Sequence, residues 1–115
     1  MKTLLLVEDY ADSRKPLKRL LDDTFDVWTA ETILEARSLI KDQHFNLSIV
    51  DLMLPGGDGE LLLPHLLKRS DKVIVLSGAD DDRRKKVQED FPGVIVIAKP
   101  LPSEQLQWIR SLCNA

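Results

Sequence analysis

The sequence has a single cysteine, Cys113, and so no partner for a disulfide within the chain. That excludes a disulfide-built scaffold and leads us to expect a reducing, cytoplasmic setting. No apolar run approaches the roughly 20 residues that a membrane helix needs. Leu4-Leu5-Leu6-Val7 is too short for the core of a secretory signal, and acids rather than small residues follow it. An excess of basic charge is also missing. The formal net charge is -3, which offers no footprint for nucleic acid and leads us to expect no appended DNA-binding domain. No linker or low-complexity tract interrupts the chain, and Gly56-Gly57 is not part of a Gly-x-Gly-x-x-Gly dinucleotide fingerprint. What is present is an ordinary globular composition, 43% hydrophobic and 30% charged over 115 residues. It fits one domain over residues 1–115 with one core.

The chain alternates between two kinds of apolar pattern. Leu4–Val7 is a short apolar run that empties into Glu8-Asp9, so it reads as a strand. Asp12 or Ser13 is expected to cap a helix carrying Leu17, Leu20 and Leu21, with Pro16 in or just after the first turn, where a missing N–H costs least. Phe25–Ala30 reads as a second strand. Thr32-Ile33-Leu34-Glu35 has the form of a capping box and opens a helix with Ile33, Ala36, Leu39 and Ile40 on one face. Asn46–Val50 is a third strand. The loop after it, Pro55 to Gly59, leads to a helix with Leu62, Leu63, Leu66 and Leu67. Pro64 predicts a late start or a distorted first turn there, because an interior proline costs about 3 kcal/mol.

Lys72–Ser77 is a fourth strand, followed by a polar helix from Arg83 to Asp90 that Phe91-Pro92-Gly93 ends. Val94–Ala98 is a fifth strand, and Ser103 is expected to cap a last helix with Leu106, Ile109 and Leu112. Five β-α units in succession predict a parallel sheet covered on both faces. Strands 1, 3, 4 and 5 are apolar throughout, as strands buried on both faces should be.

Ligands of such sheets bind beyond the carboxyl ends of the strands. Strand 1 ends in Glu8 and Asp9, strand 3 in Asp51, strand 4 in Ser77 and strand 5 in Lys99. Three carboxylates, one hydroxyl and one amine are therefore expected on one rim. Crowded carboxylates repel, so one is driven neutral or a cation sits among them. An all-oxygen donor set suits Mg²⁺, which commonly brings phosphate oxygens with it. A carboxylate can serve as nucleophile and form an aspartyl phosphate. Phosphoryl transfer needs positioning and neutralised oxygen charge, which Mg²⁺, Lys99 and Ser77 would supply. Singly, each residue has a plainer reading: a solvated acidic loop, a turn serine, a surface lysine.

Taken together, Glu8-Asp9 after Leu-Leu-Val, Asp51-Leu-Met-Leu-Pro55-Gly-Gly-Asp-Gly59, Ser77-Gly78 and Lys99-Pro100 resemble the receiver domain of two-component response regulators (CheY-like), in order and across essentially the whole chain. The resemblance implies a flavodoxin-like (βα)5 three-layer sandwich with strand order 2-1-3-4-5. It implies that Asp51 is the phosphoacceptor, that Asp9 binds Mg²⁺ directly and Glu8 through water, and that the Met53 backbone carbonyl is a further ligand. Ser77 would bond a phosphoryl oxygen, Lys99 would pair with the phosphoryl group, and the Lys99-Pro100 bond would be cis. The donor would be a histidine kinase or a histidine phosphotransfer protein. An output partner or appended effector domain would meet the fourth helix, fifth strand and fifth helix. Such a domain is not an enzyme in the ordinary sense, beyond self-phosphorylation from small donors and slow autodephosphorylation.

Three positions depart from the family pattern. Val96 stands where an aromatic switch residue is common, and Met53 and Ala79 stand where polar groups often orient the hydrolytic water. A long-lived phosphoryl group is therefore expected. An unphosphorylated receiver-like interaction domain remains the alternative. An aspartyl-nucleophile phosphohydrolase would want a second acid where Met53 stands, and a flavodoxin-like ligand binder would want a phosphate loop where Glu8-Asp9-Tyr10 stands. His44 and His65 are expected to be surface or helix-face residues. The Asp80–Lys86 charge run is a solvated helix start or a partner surface, and Trp108 is a core edge or part of that surface.

Overall fold

The computed structural model describes residues 1–55 and 57–112; Cys113 and Gly56, used above, lie outside the described residues. Five strands alternate with five helices: β1 Lys2–Val7, α1 Ala11–Leu21, β2 Phe25–Ala30, α2 Ile33–Asp42, β3 Phe45–Val50, α3 Leu63–Arg69, β4 Ser70–Ser77, α4 Asp81–Asp90, β5 Ile95–Ala98 and α5 Ser103–Ser111. Between β3 and α3, Met53–Leu54 and Gly57–Asp58 form a two-residue antiparallel pair, followed by a 3₁₀ turn over Gly59–Leu62. The main sheet is wholly parallel in the order β2-β1-β3-β4-β5, the order that the family resemblance implies.

Successive side chains of a strand point to opposite faces, so the sheet divides the core in two. Leu5, Val7, Val50, Val73 and Val75 pack with Ala36, Ile40, Leu63, Leu66 and Val87 of α2, α3 and α4. Leu4, Leu6, Leu47, Ile49, Ile74, Leu76 and Ile97 pack with Leu21 of α1 and Ile109 of α5. β1, β3 and β4 are apolar because both faces are covered. β5 is the edge strand: Ile95 and Val96 are half-buried and Ala98 is exposed, so its apolar run does not signify full burial on both faces.

Several helix starts differ from the sequence-based expectation. α1 begins at Ala11, because the Tyr10 carbonyl accepts from the N–H groups of Ser13 (3.1 Å) and Arg14 (2.9 Å). Tyr10, not Asp12 or Ser13, is therefore the capping residue, and Pro16 falls inside the helix, just after its first turn. α5 is capped by Pro102, whose carbonyl accepts from Leu106 N–H, so Ser103 is the first helical residue and not the cap. At α2, Thr32 Oγ1 accepts from Glu35 N–H at 3.1 Å, as a capping box requires, but Glu35 returns its bond to Glu31 N–H at 2.9 Å, one residue early. Pro64 has the expected effect: the chain first makes the 3₁₀ turn, and α3 starts late with Pro64 in its first turn. Of its leucines, Leu62, Leu63 and Leu66 are buried but Leu67 is 37% exposed. No helix among the described residues is long and apolar enough to cross a membrane.

Candidate functional site

Register and the two-residue period of strands assemble the site. Val7 lies beside Val50 in the β1–β3 ladder, so Glu8 and Asp51, one residue further on, become neighbours. The ladders continue past the strand ends and pin these backbones. Asp51 N–H donates to the Val7 carbonyl, Glu8 N–H to the Ala30 carbonyl and Lys99 N–H to the Ser77 carbonyl, each at 3.0 Å. Glu8 follows Leu4 and Leu6, Asp51 follows Leu47 and Ile49, and Lys99 follows Ile97, all on the α1/α5 face. The same period carries Ser77, after Val73 and Val75, to the other face.

Lys99 Nζ donates to Asp51 Oδ2 at 3.0 Å and to Glu8 Oε1. Met53 N–H donates to Asp51 Oδ1 at 3.1 Å. Both acids are nearly closed off from solvent, at 3% exposure for Glu8 and 8% for Asp51. Burial pushes the Asp51 carboxyl up, but the bonds from Met53 N–H and Lys99, with the neighbouring Glu8 carboxyl, outweigh it and hold Asp51 below its ordinary value. Glu8 goes the other way: burial raises it and Asp51 adds to the rise, against the pull of Lys99. Burial works against the Lys99 ammonium, yet its two carboxylate partners raise it above the ordinary lysine value. Asp51 is thus the more readily ionised acid of the pair, with an ammonium already beside it.

Glu8, Asp9 and Asp51 each present a carboxylate oxygen, all within 4.8 Å of one another, the one such grouping among the described residues. Glu8 Oε2 is buried and has no hydrogen-bond partner. A buried anionic oxygen without a partner is costly, and a hard cation held by Glu8, Asp9 and Asp51 would remove that cost. The donor set therefore fits a divalent cation.

Four of the five rim residues come together as expected. Ser77 is fully buried, and its Oγ accepts from Ala79 N–H at 3.1 Å. Met53 is exposed and Ala79 buried, so neither presents a polar side chain to Asp51, while Val96 is half-buried against the α2/α3/α4 core. His44 bonds Asp71 at 2.7 Å beside Asn46, at the opposite end of the sheet, and His65 is exposed on α3.

Two arginines are absent from the sequence reading of the site. Arg14 Nη1 donates to the carbonyls of Glu8 (3.2 Å) and Asp9 (3.0 Å) and so holds the acidic loop, while its Nη2 pairs with Glu31 at 2.7 Å. Arg83, in the run read above as a solvated helix start or a partner surface, grips Glu60 at 2.7 and 2.8 Å and reaches the Leu52 carbonyl at 3.0 Å. Its hydrogen bonds to Glu60 raise the guanidinium above its ordinary value. No local pattern marks either residue, because each partner is fixed by chain folding and not by spacing. Gly59 closes the same loop: its N–H donates to the Leu52 carbonyl at 2.7 Å. A Cβ there would meet the Asp51 carbonyl and lie 2.7 Å from Leu52 Cα, so only glycine fits without a backbone shift.

The family profile described as "Response regulator receiver domain" matches residues 4–109. The hydrogenase transcriptional regulatory protein HoxA of Cupriavidus necator is 35% identical over 98% of this chain and 24% of its own length. Among solved structures, a response regulator protein from Burkholderia pseudomallei with a phosphorylated aspartic acid, calcium ion and citrate aligns with a TM-score of 0.81 at 26% identity, covering 93% of this chain and 65% of that one. A CheY-like receiver domain protein from Methanospirillum hungatei aligns with a TM-score of 0.84 at 25% identity, covering 99% of this chain and 95% of that one. The chain spans between 24% and 48% of the curated relatives that it matches.

Proposed function

Because the chain belongs to the response regulator receiver domain family, a family of phosphoacceptor signalling domains, we propose that Asp51 is its phosphoacceptor. The observation that carries this reading is the position of Asp51: buried, held ionised, and bonded through one oxygen to Lys99 and through the other to Met53 N–H. An Asp51 oxygen attacks the phosphorus of the donor. The bond from phosphorus to the donor's nitrogen or oxygen breaks, and the donor leaves with that electron pair. Lys99 is placed to follow the charge from the carboxylate to the new phosphoryl oxygens.

Mg²⁺ is the cation we assign to Glu8, Asp9, Asp51 and the Met53 carbonyl, and it would supply charge neutralisation at the phosphoryl oxygens. Support comes from the clustered carboxylates and the partnerless Glu8 oxygen, and from the Burkholderia structure, whose phosphorylated aspartic acid accompanies a calcium ion. Ser77 would join the site by releasing Ala79 N–H and turning its hydroxyl to a phosphoryl oxygen. The donor we assign is a histidine kinase or phosphotransfer protein, and the readout face is α4, β5 and α5. The same site would permit self-phosphorylation from small donors, with residues 1–115 acting as one receiver unit.

The test is to phosphorylate the chain with Mg²⁺ and a small acyl phosphate, reduce the product with borohydride and map the altered residue by peptide mass. Reduction is expected at Asp51 alone. Reduction at another acid, or none, would remove the assignment.

A further inference from the structure

The Leu52 carbonyl and the Met53 N–H belong to one peptide unit, and the two ends of that unit have different partners. The N–H end donates to Asp51 Oδ1 at 3.1 Å. The carbonyl end accepts from Gly59 N–H at 2.7 Å and from Arg83 Nη2 at 3.0 Å. A peptide unit is planar and nearly rigid, so whatever fixes the carbonyl also aims the N–H. A cation on the carbonyl further polarises the unit and strengthens its N–H as a donor.

Arg83 is itself well held. Its Nε and Nη2 grip the two Glu60 oxygens at 2.8 and 2.7 Å, and Asp58 Oδ1 lies 3.5 Å from Nη2. Its own backbone N–H donates to Asp80 Oδ1 at 2.8 Å, at the start of α4. The guanidinium therefore leaves the first turn of α4 in a fixed direction and ends on the peptide that holds the phosphoacceptor.

We propose that Arg83 is a positioning residue for Asp51, acting through the Leu52–Met53 peptide, and that this contact links the phosphoacceptor to α4. The assignment of Asp51 as phosphoacceptor underlies this role. When Asp51 carries a phosphoryl group, its carboxylate is no longer a free anion and holds the Met53 N–H less strongly. The Leu52 carbonyl and Arg83 feel that change, and with them the start of α4. Val96 offers no aromatic side chain for the task, whereas Arg83 spans the distance with hydrogen bonds.

The experiment compares Arg83→Ala, Arg83→Lys and Val87→Ala in the full chain. Val87 is a buried α4 residue, so Val87→Ala loosens the helix without touching the Leu52 carbonyl. Three readouts are taken: the Met53 amide resonance and its hydrogen exchange without phosphodonor, the thermal midpoint, and the phosphorylation rate at saturating Mg²⁺ and acetyl phosphate. Arg83→Ala is expected to move the Met53 amide proton upfield and speed its exchange. It should slow phosphorylation roughly three- to tenfold, the worth of one ordinary net hydrogen bond, because the guanidinium acts on Asp51 only through the peptide. Arg83→Lys should recover part of the rate, because an ammonium can still reach the carbonyl. Val87→Ala should lower the thermal midpoint and leave the Met53 resonance and the rate in place. An unmoved Met53 amide in Arg83→Ala, or an equal loss of rate in Val87→Ala at matched stability, would overturn the proposal. The amide readout needs no phosphoryl transfer, so it decides the role of Arg83 even if Asp51 proves not to accept the group.

Discussion

In its proposed role, Asp51 has neighbours suited to taking a phosphoryl group and poorly suited to releasing it. Lys99 and the Met53 N–H hold its two oxygens. The side chains at the positions that would orient an attacking water are an exposed methionine, Met53, and a buried alanine, Ala79. Neither carries a donor or acceptor that could hold water in line with the phosphorus. Met53→Asn supplies one at an exposed position that needs no repacking. Loss of the phosphoryl group, followed as released phosphate after donor removal, is expected to speed up on the order of tenfold, about the worth of one net hydrogen bond to the water. An unchanged decay would show that the lifetime is set elsewhere.

At the scale of elements, the contact between the 3₁₀ turn before α3 and the start of α4 joins the loop after Asp51 to the proposed readout face. Its ion pair, Arg83 with Glu60, is partly shielded, with side-chain exposures of 30% and 27%. The hydrogen bonds from Arg83 hold the Glu60 carboxyl below its ordinary value. A carboxyl depressed in the folded state stabilises the fold above the unfolded value of about 4.3, and that contribution is lost as pH falls through the folded value. The urea midpoint of the native chain should therefore exceed that of Glu60→Gln near neutral pH, and the two should converge below about pH 4. A constant gap at all pH values would mean that the Glu60 charge does not contribute. None of this was legible in the charge run Asp80–Lys86. A helix start with acids first and bases after satisfies the dipole by itself, and the sequence does not say that one of its arginines reaches Glu60, 23 residues away. By contrast, the effect of Pro64 was legible, because it follows from backbone chemistry at one position.

Across the whole molecule, the fold was legible wherever a local pattern carries it. Apolar runs that end in polar residues mark β1, β3 and β4, and the alternation of strands and helices fixes the parallel sheet. The edge position of β5 was legible only through the family resemblance and its strand order, since an apolar run does not say how many neighbours it has. The candidate site was legible for Glu8, Asp9, Asp51 and Lys99, because charged groups at strand ends converge in any such sheet. Ser77 was placed with them as well. Its buried hydroxyl accepts a bond from Ala79 N–H, a contact that its place at a strand end does not announce. Buried acids, a fitting cation site and a lysine at the joint between β5 and α5 make the central claim open to direct measurement. It is the intact mass of the chain and of Asp51→Ala after incubation with a small acyl phosphate, with Mg²⁺ and with chelator. Our account predicts one added phosphoryl group in the native chain with Mg²⁺, and none with chelator or in Asp51→Ala. No addition to the native chain, or an addition that persists in Asp51→Ala, would contradict it.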